Sequence, residues 1–501
     1  MNPKYPIIYE INTWVWLGEL EKKHGRPIHL GSVPSGEWDY FSSLRIDAIW
    51  FMGVWERSPA GVRIALRQER EMEEFRRVLP DFTPKDVVGS PYCVRRYEVD
   101  ENLGGPDGLA LARKELARRG IGLILDFVPN HTAQDCPWIW SHPEYYIQGS
   151  RDDLAKEPLA FFEPNGSFVG DSQTVFAKGR DPYFPPWQDV AQVNAFDAGL
   201  RSASIHTLCS ILEQSDGVRC DMAMLLMNAV FEKTWGRRAG KNPPKEYWRQ
   251  IIGDVRKRRP SALFIAEAYW DLEWELLQQG FDLCYDKRLY DRLAYGNAAE
   301  VRLHLLADTS YQDRLLRFIE NHDEKRAAAV FPPRRQQCCA VAFTTLPGAK
   351  LIHDGQIEGR KIRVPVALRR RPPEKPLEFS LNSFYHHLLN VVGSADFREG
   401  EWKLCDLKGW PDNSSWLDIL AWCWTLSGER RYIIAVNLSD HGSQGLIQVP
   451  WRDIGGALCR LTDLLSGAQY TRDGDRMQDP GLYVDLEGWG CHFFSLRNSG
   501  A

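Results

Sequence analysis

IGLILDFVP (121–129) is a run of apolar residues that ends on a carboxylate and a proline. A strand buried on both faces reads this way, because neither side of its pleat meets water. It follows GLALARKELARRG (108–120), whose apolar residues recur at helical spacing and whose Arg-Arg-Gly ending stops a helix. Working outward, the same rhythm returns in IIYEINTW (7–14), DAIWFMGVW (47–55), DGVRCDMA (216–223), ALFIAEAYW (262–270), FDLCYD (281–286), LLRFIENHD (315–323) and AKLIHDGQ (349–356). Strands alternating with helices form a parallel sheet covered on both faces, and eight such units predict closure into a (β/α)8 TIM barrel. A doubly wound open sheet is the alternative.

Two connections exceed an ordinary strand-to-helix loop: residues 56–90 and roughly 132–187. Loops of that length are usually functional. The second, rich in Pro, Gly, Asp and aromatics, reads as a small lobe inserted after the third strand. After a last helix near 381–392 come short alternating runs, RYIIAVNLS (431–439), GLIQVP (445–450) and LYVDLE (482–487). The expected organisation is a barrel domain over 1–395, its lobe over 132–187, and a C-terminal antiparallel β-sandwich over 396–501.

Composition narrows the partners. A formal net charge of −5 gives no electrostatic reason for nucleic acid or an anionic membrane, so the basic runs RKRR (256–259) and RRR (369–371) are read as solvated helix ends and loops. No apolar stretch approaches the ~20 residues of a membrane span. The opening MNPKYPIIYEINTWVWLG has no charged leader and is broken by Glu10, so it reads as a first strand and not a signal peptide. Eleven cysteines without a CxxC pair argue against a disulfide framework or a zinc knuckle, and the reducing cytoplasm follows as the expected compartment. Cys338–Cys339 reads as a buried helix face, and NLGGPDG (102–108) as a helix start with no phosphate-loop lysine behind it.

Barrel enzymes carry their chemistry at the C-terminal ends of the strands. Here those ends hold Asp126, Asn130 and His131; Arg219 and Asp221; Glu267; and Asn321, His322 and Asp323. One strand-end carboxylate is commonly a structural ion-pair partner, but four strands doing this together point to a site. Arg219, two residues before Asp221, shares its strand face and favours its ionised form. Paired carboxyls aimed at one spot suit glycosidic cleavage, which needs one acid and one group to meet the charge on the anomeric carbon.

Four motifs in order, DFVPNH (126–131), GVRCDMA (217–223), IAEAYW (265–270) and IENHDEKR (319–326), with SPYCVRRYEVD (90–100) ahead and GAKLIHDGQ (348–356) behind, resemble the α-amylase superfamily, glycoside hydrolase family thirteen. The resemblance covers nearly the whole chain. It implies a retaining hydrolase of α-linked glucosides, α-1,4 malto-oligosaccharides or glucan, with Asp221 as nucleophile, Glu267 as general acid/base and Asp323 as the third carboxylate. It makes Arg219, His131, His322 and the stacking Tyr92 substrate-binding residues. Asn130 matches a calcium ligand of many members, with Asp152, Asp153 and Asp171 as unplaced acidic candidates; the chemistry itself needs no cofactor. Asp126 reads as a structural brace for Arg219 or backbone amides. Trp14, Trp16, Trp55, Trp138, Trp187 and Trp270 are candidate sugar platforms, although most of 19 tryptophans must be core.

The chain also departs from the pattern. Met224 and Leu225 stand where many α-amylases carry a Lys-His pair, which suggests a more apolar acceptor side, and PPWQDVAQVN (185–194) matches no single specificity type. An α-glucan transglycosylase remains the alternative, since either water or a sugar hydroxyl could resolve the glycosyl enzyme. A non-catalytic binding subunit would tolerate loss of the carboxylates, and all three are present. Oligomeric state is left open.

Overall fold

The structure is a computed structural model describing residues 4–164, 174–374, 379–395, 397–427 and 430–498. Eight parallel strands close a barrel: β1 (Ile7–Asn12), β2 (Ala48–Met52), β3 (Gly122–Phe127), β4 (Gly217–Cys220), β5 (Leu263–Ala266), β6 (Leu283–Tyr285), β7 (Leu315–Arg317) and β8 (Ala349–His353). Each pairs with its sequence neighbours, and β8 closes on β1 with Leu351 opposite Ile8. The open-sheet alternative is thereby excluded. All eight are buried along their length, as near-continuous apolar strands require.

Every strand is shorter than its apolar run. β7 ends at Arg317, so Asn321, His322 and Asp323 lie in the loop beyond it. Phe318 and Ile319, past the ladder of β7, stay buried, so hydrophobicity continues after strand pairing has stopped. The helix Gly105–Ala117 begins at Gly104, whose φ of 102° suits glycine, and Cys338 and Cys339 are buried in the helix Pro333–Thr345.

Both long connections carry structure. After β2, Trp55–Arg57 pairs antiparallel with Val94–Val99, and the helices Pro59–Ala65 and Glu69–Val78 lie between them. After β3, His131–Ala133 pairs with Val190–Gln192, and the short strands Gln148–Gly149, Phe161–Phe162 and Val175–Ala177 form their own sheet.

Beyond the helix Phe379–Ala395, six antiparallel strands between Glu401 and Asn498 form one sheet, and Leu407–Lys408, Ser443–Ile447 and Leu482–Leu486 form a second. Residues of both sheets, including Ile433, Ile447, Val484 and Phe494, share one apolar core. Trp424 of the first sheet donates its indole N–H to the Thr345 carbonyl at 2.7 Å and stacks on Phe397 at 4.6 Å, joining these sheets to a barrel helix.

All eleven cysteines are free thiols, and among the described residues no helix is long and apolar enough to cross a membrane. The basic run 369–371 is not simply solvated: Arg371 is buried against Asp354, and Arg370 pairs with Asp86.

Candidate active site

β4 and β5 run in register with Cys220 opposite Ala266, so the next residues, Asp221 and Glu267, emerge side by side at the C-terminal mouth. Strand neighbours lie about 4.8 Å apart. Backbone bonds carry the pairing past the ladder, with Asp221 N donating to Phe127 O at 2.9 Å and Glu267 N to Cys220 O at 3.0 Å.

Arg219 is fully buried beneath them. Its Nη1 donates to Asp221 Oδ1 at 2.7 Å, Nη2 sits 2.7 Å from Glu267 Oε2, and Nε donates to the Tyr285 hydroxyl at 3.2 Å. One rigid guanidinium fork therefore spaces both carboxyls. Asp126 stands 3.6 Å from Nη1 and accepts from Gly53 N–H at 3.2 Å, the bracing role its strand position suggests. A side chain at Gly53, where φ is 77°, would strike Arg57 and Pro91.

Two further donors reach Glu267. Met222 adopts φ 42°, a left-handed conformation that is costly for a non-glycine residue and is typically kept at functional turns. It thereby donates its backbone N–H to Glu267 Oε2 at 2.6 Å, and the Tyr269 hydroxyl donates to Oε1 at 2.9 Å.

A cavity of about 320 Å³ opens above, walled by Asp221, Glu267, Asp323, Tyr92, His131 and Trp187, with Ser90, Asp189, Val190, Met222 and Tyr269 completing it. Asp323 leaves 45% of its side chain exposed and places Oδ2 3.0 Å from Nε2 of His322. The Tyr92 hydroxyl is 2.6 Å from the same nitrogen. The three carboxylates, Arg219, Tyr92, His131 and His322 thus converge on one mouth, beside the lobe.

The charges are uneven. Burial raises Glu267 to about 7; Arg219 opposes this, and the neighbouring Asp221 and Asp323 add to it. Burial also raises Asp221, against the charge and hydrogen bond of Arg219. For Asp323 partial burial is outweighed by His322, which holds the carboxyl below its ordinary value. Burial lowers His131 to about 4, leaving it neutral.

The Asn130 side chain is engaged within the lobe. It exchanges bonds with Gln192, whose Nε2 donates to Oδ1 at 3.0 Å, and Asp153 is bound to Arg238 and Ser150. Calcium takes six to eight oxygens, carboxylates among them, and no group of three or more His, Cys, Asp or Glu that could hold a metal occurs among the described residues. Asp171 lies outside them.

Other expectations change. Met224 and Leu225 are buried in the core, so the apolar acceptor surface inferred from them reduces to Met222. Trp16 and Trp55 are core residues; of the tryptophan candidates Trp187 lines the cavity. Glu10, Tyr269, Met222 and Asp189 escaped the sequence reading. Tyr269 was findable, since it lies two residues after Glu267 in the segment that leaves β5.

No family model matches the chain. Alpha-amylase MalA of Haloarcula japonica is 23% identical over 367 residues, covering 71% of this chain and 44% of that protein. Alpha-amylase 3 of Dictyoglomus thermophilum is 19% identical over 359 residues, 67% of this chain and 61% of that protein. The aligned region is less than two thirds of either relative. Among solved structures, the maltogenic alpha-amylase AmyB of Thermotoga neapolitana superposes with a TM-score of 0.67 at 18% identity, covering 99% of both chains. An acarbose complex of the Geobacillus thermoleovorans alpha-amylase gives 0.68 at 16% identity over 100% of both. These structural likenesses establish a fold: a (β/α)8 barrel of the alpha-amylase type, with additional antiparallel sheets at the C-terminus. The curated relatives, both named alpha-amylases, are what this chain is similar to in sequence, in agreement with the resemblance that its ordered strand-end motifs carry.

Proposed function

We propose that this protein is a retaining glycoside hydrolase acting on α-linked glucosides through a covalent glycosyl enzyme. The observation that carries the reading is the single buried guanidinium of Arg219 holding Asp221 and Glu267 side by side in the cavity wall. Arg219 occupies Oδ1 of Asp221, which leaves Oδ2 as the attacking oxygen. Glu267, raised to about 7, keeps a proton for the departing oxygen and then accepts one from water. Asp323, ionised beside His322, would hold the ring hydroxyls of the distorted sugar, and Tyr92 its apolar face.

A cavity near 320 Å³ is at the low end of small-molecule sites and favours a short glucoside or chain end over the middle of a polymer. The α-1,4 malto-oligosaccharides are the first candidates. Eleven free thiols fit a reducing cytoplasm.

Incubation with maltose, maltotetraose, glycogen, sucrose, trehalose and aryl α-glucosides, followed by proton NMR of the first-formed anomer, tests the reading. An α-anomeric product supports it; a β-anomeric product, or no cleavage of any member, overturns it. Products longer than maltotetraose would assign transfer to a sugar hydroxyl in place of hydrolysis.

A further inference from the structure

Glu10 is fully buried on β1, where an ionised carboxylate is costly unless a cation answers it. No lysine or arginine does so among the described residues. Among the described residues its carboxyl has one hydrogen-bond partner, Nδ1 of His322, on Oε1, and Oε2 has none. The other ring nitrogen, Nε2, faces Asp323 Oδ2 at 3.0 Å and the Tyr92 hydroxyl at 2.6 Å. A carboxylate on each nitrogen favours a ring that donates from both, an imidazolium, with the Tyr92 hydroxyl accepting at Nε2.

Trp50 meets the ring edge-on at 5.6 Å. Tyr92 also packs on the ring, at 5.4 Å, and the Arg219 guanidinium lies over the Trp50 and Tyr92 faces while bonding Asp221. Asp126, whose charge also acts on His322, is committed to Gly53 and Arg219. His353, on β8, is held by Arg326 and Glu320.

We propose that Glu10 is a positioning residue, which fixes the ring and protonation of His322 so that Nε2–H stays aimed at Asp323 and at the sugar hydroxyl bound there. Glu10 does not reach the cavity; it acts through the histidine, as carboxylates behind metal-bound histidines do. Burial alone would lower the His322 pKa, and Asp323 and Glu10 together hold it well above its ordinary value. The catalytic consequence rests on the reading of Asp323 given above, whereas the state of the ring does not.

The test compares the native protein with Glu10→Gln and Glu10→Asp. In ¹⁵N-histidine NMR, with His322 assigned through His322→Asn, the native ring should be an imidazolium at about pH 7.5, and in Glu10→Gln a neutral ring above its ordinary pKa of about 6.5. Glu10→Asp, which keeps the charge, should retain the imidazolium. On a cleaved α-glucoside, Glu10→Gln should lose on the order of 10–100-fold in kcat/KM at about pH 7.5. It should recover most of that loss below about pH 6, where the ring is protonated without help. A neutral His322 in the native protein, an imidazolium that survives Glu10→Gln, or an equal loss at every pH would overturn the proposal. If no glucoside is cleaved, the functional reading fails and the NMR titration alone decides the role of Glu10.

Discussion

The Tyr269 hydroxyl donates to Oε1 of Glu267 at 2.9 Å, from two residues further along the same segment. A donor to a carboxylate favours its ionised form, so this bond restrains the rise that burial imposes on Glu267. Tyr269→Phe removes the donor, and the Glu267 pKa should rise by up to about one unit, the worth of one hydrogen bond. The basic limb of the kcat/KM profile should move upward with it; a limb that moves down would contradict the argument.

The native profile should be bell-shaped. Glu267 acts protonated and sits at about 7, so efficiency falls as pH rises through that value. Asp221 acts ionised and is raised by burial, so the acid limb should lie above the ordinary aspartate pKa of about 3.9. A flat profile up to about pH 9 would show that Glu267 is not the acid.

Asp221→Asn should cost on the order of 10⁴-fold in turnover while the fold survives, as loss of a covalent nucleophile does. Circular dichroism and a thermal melt would report the fold. More than a tenth of native activity remaining would remove Asp221 from its role.

Glu267→Gln should be inert toward α-glucosides with poor leaving groups and partly active toward a dinitrophenyl α-glucoside, whose departure needs no proton. Equal losses on both would assign the acid elsewhere.

Trp424→Ala deletes a fully buried indole, its bond to Thr345 and its stack on Phe397. It should destabilise the protein by about 3–5 kcal/mol, read as a lower denaturant midpoint. A change under about 1 kcal/mol would mean that the junction relaxes around the loss.

The barrel was legible because each strand is apolar on both faces and each helix on one, a pattern that survives without knowledge of contacts. The strand-end residues were legible because barrel chemistry sits where an apolar run turns polar, as at Asp126, Asp221 and Glu267. Strand ends were not, since apolar residues such as Phe318 and Ile319 stay buried after pairing has stopped at Arg317. Nor could sequence spacing pair Glu10 with His322, placed together only because the barrel closes β1 on β8 beside the loop that follows β7. Likewise, Met224 and Leu225 looked like acceptor-side residues, and the turn that follows Asp221 sends them into the core, leaving Met222 at the cavity. Sequence by itself determined which residues could carry charge and where along the chain. Tertiary structure decided which charges meet, because burial and pairing depend on neighbours that chain order does not name.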